Sequence, residues 1–236
     1  MYCKKCGRPM GKKNYCAYCQ PQKAQAEQKK SRLWLWLVIA AVCVAAVVTA
    51  FVLLAGRETA DPTDPSTSTV SAGKHHVEIE VQDYGTITVE LDADAAPITV
   101  ENFLKLANEG FYDGLTFHRI MAGFMMQGGD PTGTGMGGSE ETIKGEFSAN
   151  GVKNPLSHTR GAISMARSQA YDSASSQFFI CHADSTFLDG NYACFGYVTD
   201  GMDVVDAVCE DAEPTDDNGT IPADAQPVIT AIRVLD

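Results

Sequence analysis

Between Leu33 and Ala55 the chain runs 23 residues without a charged side chain, and this stretch constrains how everything else can be arranged. At ~1.5 Å per residue, a helix of that length measures about 35 Å, enough to cross a bilayer core of about 30 Å with some tilt. A buried helix of a soluble domain rarely runs so far without a polar face. The neighbouring charges orient it. Residues 1–32 hold nine Lys and Arg, with Lys29, Lys30 and Arg32 at the apolar edge, against the single acid Glu27, for a net +8. The whole chain carries −12, so everything after Arg32 carries −20. Cations beside a span stay on the cytoplasmic side, which puts the N-terminus inside and the acidic remainder outside. Trp34 and Trp36 fall where an interfacial aromatic belt belongs. The preceding 32 residues are too long for the n-region of a cleaved signal. Arg57 stands where a lipidated cysteine would follow Leu54-Ala55-Gly56. The segment reads as an uncleaved anchor, residues 33–55.

Ahead of it, Cys3, Cys6, Cys16 and Cys19 form two Cys-x-x-Cys knuckles nine residues apart. Four thiolates at that spacing can surround one tetrahedral ion, and zinc is the usual occupant. A reducing cytoplasm disfavours the alternative of two disulfides. Residues 1–32 are therefore expected to form a zinc-ribbon-like unit with a structural metal. After the anchor, residues 56–74 are Thr, Ser, Pro and Asp without an apolar pattern, the composition of a disordered tether.

The remaining stretch, residues 75–236, is long enough for one domain with a sizeable core. Val77, Ile79 and Val81, then Ile87, Val89 and Leu91, alternate with polar residues around Asp83-Tyr84-Gly85, which predicts a hairpin. Pro97 opens a helix carrying Val100, Phe103, Leu104 and Ala107 on one face and closing at Gly110. Further short strands, a second helix near Met202–Cys209 and a last strand from Val228 to Leu235 make a mainly β domain. Cys181, Cys194 and Cys209 sit in apolar runs, and an odd number argues against a disulfide framework. The acidic loop from Glu210 to Asn218 lacks the closing glutamate of a calcium loop, so it reads as a solvated turn.

One run bears on chemistry. Phe117 to Asp130 reads as two strands joined at Ala122-Gly123, which puts Arg119, Met121, Met125 and Gln127 on related faces. Such a face offers an apolar floor, a permanent fork-shaped cation and a carboxamide. It contains no nucleophile, carboxylate pair or metal-ligand set, so bond cleavage is not its chemistry. It suits an apolar ring flanked by peptide groups.

The run resembles the signature of cyclophilin-type peptidyl-prolyl cis/trans isomerases. Two more blocks follow in that family's order. One is Gly161 to Arg167 with Ser176 to Cys181; the other is Phe187 to Tyr192 leading to Phe195-Gly196. The resemblance implies a closed eight-stranded antiparallel barrel capped by two helices, no cofactor for catalysis, and proline-containing unfolded or exported polypeptides as partners. It makes Arg119 the catalytic residue. Phe124, Met125, Phe179 and Leu188 correspond to the proline pocket, and Gln127 to the residue that positions Arg119 and a substrate carbonyl. Ala166 and Arg167 correspond to the backbone that pairs with an extended substrate, and His118 and Gln177 to further hydrogen-bonding positions. Phe187 stands where many members carry the tryptophan that binds cyclosporin, and Tyr192 where some carry histidine.

Three readings follow. The first is a membrane-tethered isomerase acting on exported chains, without nucleic acid. The second is a proline-peptide module or holdase with little turnover, which loss of Arg119 would have favoured. The third is a signalling protein, against which a flexible tether argues because it transmits conformational change poorly.

Overall fold

The computed structural model describes residues 2–4 and 72–236. The expected anchor, residues 33–55, lies outside the described residues, as do Cys6, Cys16, Cys19 and the tether up to Ser71. Among the described residues no helix is long and apolar enough to cross a membrane.

The alternating apolar residues form the first hairpin, β1 (Lys74–Val81) and β2 (Gly85–Asp92), with Val77 opposite Val89 and Ile79 opposite Ile87. All four are fully buried, each contributing about 1.5–3 kcal/mol relative to exposure. Lys74, assigned above to the tether, is the first residue of β1, and its Nζ reaches Asp92 at 2.7 Å. Next comes α1 (Pro97–Asn108), with Pro in its first turn and Val100, Phe103, Leu104 and Ala107 buried. Its N-terminus has no side-chain cap of its own. Instead Glu146 accepts from the N–H groups of Ile98 and Thr99 and from the Thr99 hydroxyl.

Six strands complete the sheet: β3 (Thr116–Met121), β4 (Met125–Asp130), β5 (Ala162–Met165), β6 (Phe178–Cys181), β7 (Cys194–Asp200) and β8 (Ile229–Val234). The eight run in the order β3-β4-β6-β5-β7-β2-β1-β8, antiparallel at every pairing. The eight strands curl into a half-barrel, without the ladder between its edges that the expected closed barrel would have. Edge strand β3 meets the residue just before β8 through one bridge, Thr116 to Val228, with hydrogen bonds from Phe117 N to Pro227 O and from Ile229 N to Leu115 O.

The second helix, α2 (Met202–Asp211), runs two residues past the predicted end and buries Val204, Val205, Val208 and Cys209. The centre of the core is aromatic. Phe103 of α1 packs on Tyr112, Phe178 and Phe195 with ring centroids 5.1–5.4 Å apart. A smaller cluster of Met125, Phe179, Cys181, Leu188 and Cys194 lies apart from it, and Phe124, Ala166 and Tyr192 pack on that second cluster. The binding face grows from there.

Candidate active site

Hairpin β3–β4 turns at Ala122-Gly123, where Gly123 adopts φ +80°, a conformation open to glycine at little cost. Its register sets Arg119 opposite Gln127 and Met121 opposite Met125, as the alternation predicted. Arg119, Gln127 and Met125 meet Ala166 and Arg167 after β5, Phe179 of β6, and Leu188 and Tyr192 at and beyond the 3-10 turn Thr186–Leu188. Together with Phe124 they line a pocket of about 180 Å³. Nine of the twelve residues named from the sequence form its walls. Beside it lies a larger cavity of about 450 Å³, sharing Gln127, Ala166 and Arg167 as the boundary.

Arg119 is held from several directions. Its Nε donates to the main-chain carbonyl of Asn218 at 2.7 Å, and Nη1 to Gln127 Oε1 at 3.2 Å. Nη1 and Nη2 also touch the sulfurs of Met125 and Met121, and the guanidinium lies 5.9 Å from the centroid of the Phe124 ring. Burial lowers the pKa of Arg119, while Tyr192 and Asp216 oppose that shift. A guanidinium remains charged regardless. With Nε engaged by an oxygen and Nη2, among the described residues, only by a weak sulfur acceptor, the fork retains donor capacity.

Gln127 is fixed in turn. Its Nε2 donates to Gln177 Oε1 at 2.8 Å, and Gln177 Nε2 donates to the carbonyls of Gly135 and Gly137. Gln177 therefore backs Gln127 and lines the larger cavity instead of the smaller pocket. The loop carrying Gly135 and Gly137 is organised by Asp130, which accepts from the N–H groups of Thr132, Thr134, Gly135 and Gly137. Burial pushes the Asp130 pKa up, and those hydrogen bonds outweigh it, leaving about 2.

Besides Gln177, two more of the twelve lie outside the pocket lining. His118 is buried beneath the Gly135 loop, away from the pocket lining, and neither ring nitrogen has a hydrogen-bond partner among the described residues. Burial lowers its pKa, so the ring is neutral near pH 7. Phe187 is 71% exposed and forms the rim, its ring 5.6 Å from that of Phe124.

Two contributors were missed. His158 stacks on Phe179 at 6.0 Å, with Nδ1 2.7 Å from Asp189 Oδ1 and Nε2 2.9 Å from Ser164 Oγ. Those three residue types suggest nucleophilic chemistry, but Ser164 and His158 are fully buried and out of substrate reach. The chain instead ties the Leu188 turn to β5 behind the pocket floor. The other is segment 218–221, which pairs with β3 through Ile120 N to Gly219 O and Ile221 N to His118 O. Asp216 spends its carboxylate on the N–H groups of Asn218 and Thr220 and on the Thr220 hydroxyl, so the acidic loop shapes its own turn. A lone histidine in a loop and a backbone carbonyl leave no periodic trace in a sequence.

The family model for cyclophilin-type peptidyl-prolyl cis-trans isomerases matches residues 76–234. The chain belongs to that family. Peptidyl-prolyl cis-trans isomerase B of Bacillus subtilis is 51% identical over 123 residues, 52% of this chain and 82% of the relative. A peptidyl-prolyl cis-trans isomerase of Helicobacter pylori is 48% identical over 126 residues, 52% of this chain and 75% of the relative. A cyclophilin-type isomerase of Cryptosporidium parvum superposes with a TM-score of 0.62 at 30% identity, covering 70% of this chain and 99% of its own. A second structure of that protein, in the presence of the dipeptide Ala-Pro, gives 0.60 at 31% identity, covering 68% and 99%. This cyclophilin is accordingly a peptidyl-prolyl cis/trans isomerase.

Proposed function

We propose that the 180 Å³ pocket receives the proline ring of a client and that Arg119 lowers the barrier to rotation about the preceding peptide bond. That barrier is ~18–20 kcal/mol because the nitrogen lone pair is delocalised into the carbonyl. X-Pro bonds consequently exchange in tens to hundreds of seconds. In the twisted transition state the lone pair is localised on nitrogen, and a donor aimed there binds that state more tightly than either ground state. The observation that carries this reading is Arg119, fixed by Asn218 and Gln127 in the wall of an apolar pocket lined by Phe124, Met125, Phe179 and Leu188. No proton need move, so the neutral His118 is not a base. The Ala-Pro dipeptide present with the Cryptosporidium neighbour supports a proline-containing ligand here. Titrating the dipeptide into isotope-labelled protein tests the assignment. Shifts concentrated at Phe179, Leu188 and Arg119 are expected, and shifts confined elsewhere would refute it.

The setting is proposed on charge. The basic residues 1–32, the uncharged residues 33–55 and the acidic remainder support a single-pass anchor with the isomerase domain outside the membrane, acting on exported chains. Cys3, Cys6, Cys16 and Cys19 are proposed to hold one structural zinc on the inner side, supported by their spacing. Protease added to intact cells should trim the outer domain and spare the N-terminus. Protection of the isomerase domain would reverse the topology.

A further inference from the structure

Arg167 is the second cation of the binding face, and its donors are turned inward. Nε and Nη2 both donate to the carbonyl of Asn191, at 2.9 and 2.8 Å. Nη1 donates to the carbonyl of Ser168 at 2.8 Å and, more weakly, to that of Gln169 at 3.5 Å. Around the same guanidinium stand three rings, with centroids 4.6 Å (Tyr192), 5.1 Å (Tyr171) and 5.2 Å (Phe147) from its central carbon. These partners come from three separate loops. A planar fork can satisfy paired donation to one carbonyl while stacking on rings, whereas an ammonium cannot do both.

The residues so gathered bear on the pocket. Tyr192 lines it and meets Phe179 edge-on at 6.0 Å. Asn191 N donates to Leu188 O, so the carbonyl gripped by Arg167 belongs to the same short loop that supplies Leu188. That loop is a surface element, with Phe187, Asp189 and Asn191 exposed. A wall built on a surface loop needs an anchor from behind. Arg167 also separates the two cavities, lining both.

We infer that Arg167 is a positioning residue for isomerisation: its guanidinium holds the Leu188–Tyr192 wall of the proline pocket, and it does so as a fork rather than as a charge presented to substrate. The inference rests on the proposed seating of the proline ring in that pocket. A loosened wall weakens binding of ground and transition states alike, which raises KM and leaves kcat nearly unchanged.

Steady-state isomerisation by the full-length protein tests this with R167A, R167K and R167Q, alongside R119A and thermal unfolding of each. KM should rise about fivefold or more in R167A and nearly as much in R167K, with kcat within about twofold. Guanidinium ion at tens of millimolar should recover much of the R167A loss, where sodium at equal concentration does not. In a Y192L background the R167A effect should shrink below about twofold, as expected when one residue acts through the other. Wild-type KM in R167K, absence of guanidinium rescue, or full additivity with Y192L would each overturn the inference. Should R167A fail to fold, R167K and R167Q carry the same comparison. Unchanged activity in R119A would instead strike at the underlying mechanism, which keeps the two failures apart.

Discussion

Arg119 Nε lies 2.7 Å from the main-chain oxygen of Asn218, so the guanidinium is aimed by a peptide group 99 residues further along the chain. The position of that oxygen depends on Gly219, whose φ of +85° and contact with β3 leave no room for a side chain. An added Cβ would lie 2.7 Å from Ile120 O and 2.5 Å from Met121 Cγ.

Gly219→Ala should therefore displace segment 218–220 from β3 and swing the guanidinium away from the pocket. Left-handed backbone alone costs a non-glycine residue about 1–2 kcal/mol. Catalytic efficiency should fall at least about tenfold in the coupled assay, with a lower Tm. Wild-type efficiency would show that the carbonyl does not aim Arg119.

Asp130 sets the acid limit of the loop behind Gln177. The residue is 1% exposed and its folded-state pKa is about 2, below the ordinary value of 3.8. A depressed carboxylate pKa stabilises the fold above about pH 4, and that contribution disappears as pH falls through about 2. At about 1.4 kcal/mol per unit, the contribution at neutral pH is about 2 kcal/mol. Asp130→Asn should be less stable by roughly that amount at pH 7, with the gap closing toward pH 2. Denaturant unfolding of both proteins across that range measures it, and a pH-independent difference would contradict the account.

Much of this was legible beforehand because it follows local periodicity. The β1–β2 alternation, the spacing of Val100, Phe103, Leu104 and Ala107, and the shared face of Arg119 and Gln127 all depend on neighbours a few residues away. What escaped depends on distant backbone. The Asn218 carbonyl has no side-chain signature, and the burial of His118 is decided by a loop folded over it. Whether Arg167 faces substrate or Asn191 depends on three loops meeting in space. The single bridge from β3 to the residue before β8 likewise depends on how far the two edges run together, which alternation does not encode.

The three cysteines of the domain should be inert. Cys181, Cys194 and Cys209 are buried, and burial pushes each thiol up to about 12. A thiolate is the reactive form, so alkylation of native protein at pH 8 should leave all three unmodified by mass spectrometry. Full labelling should follow only on unfolding. Rapid labelling of Cys181 or Cys194 in the native state would mean that the cluster beneath the pocket opens.

Phe187 stands at the rim, 71% exposed, at the position the family resemblance matches to tryptophan. Phenylalanine keeps most of the apolar wall and lacks the indole donor, a neutral hydrogen bond being worth about 0.5–1.5 kcal/mol. Phe187→Trp, which also adds packing area, should tighten cyclosporin binding about tenfold or more, since ~1.4 kcal/mol is a factor of ten. Peptide turnover should change little, because Phe187 is not part of the pocket lining. Calorimetric titration of both proteins decides it, and no gain in affinity would show that the rim does not control the drug.

The most direct test is protease-coupled isomerisation of an X-Pro peptide by wild type and Arg119→Ala, with circular dichroism to confirm that both are folded. Removing a donor aimed at developing charge costs ~10²–10³ in kcat in comparable sites. A loss of about a hundredfold with the fold intact is the predicted result, and a variant as fast as wild type would contradict the mechanism.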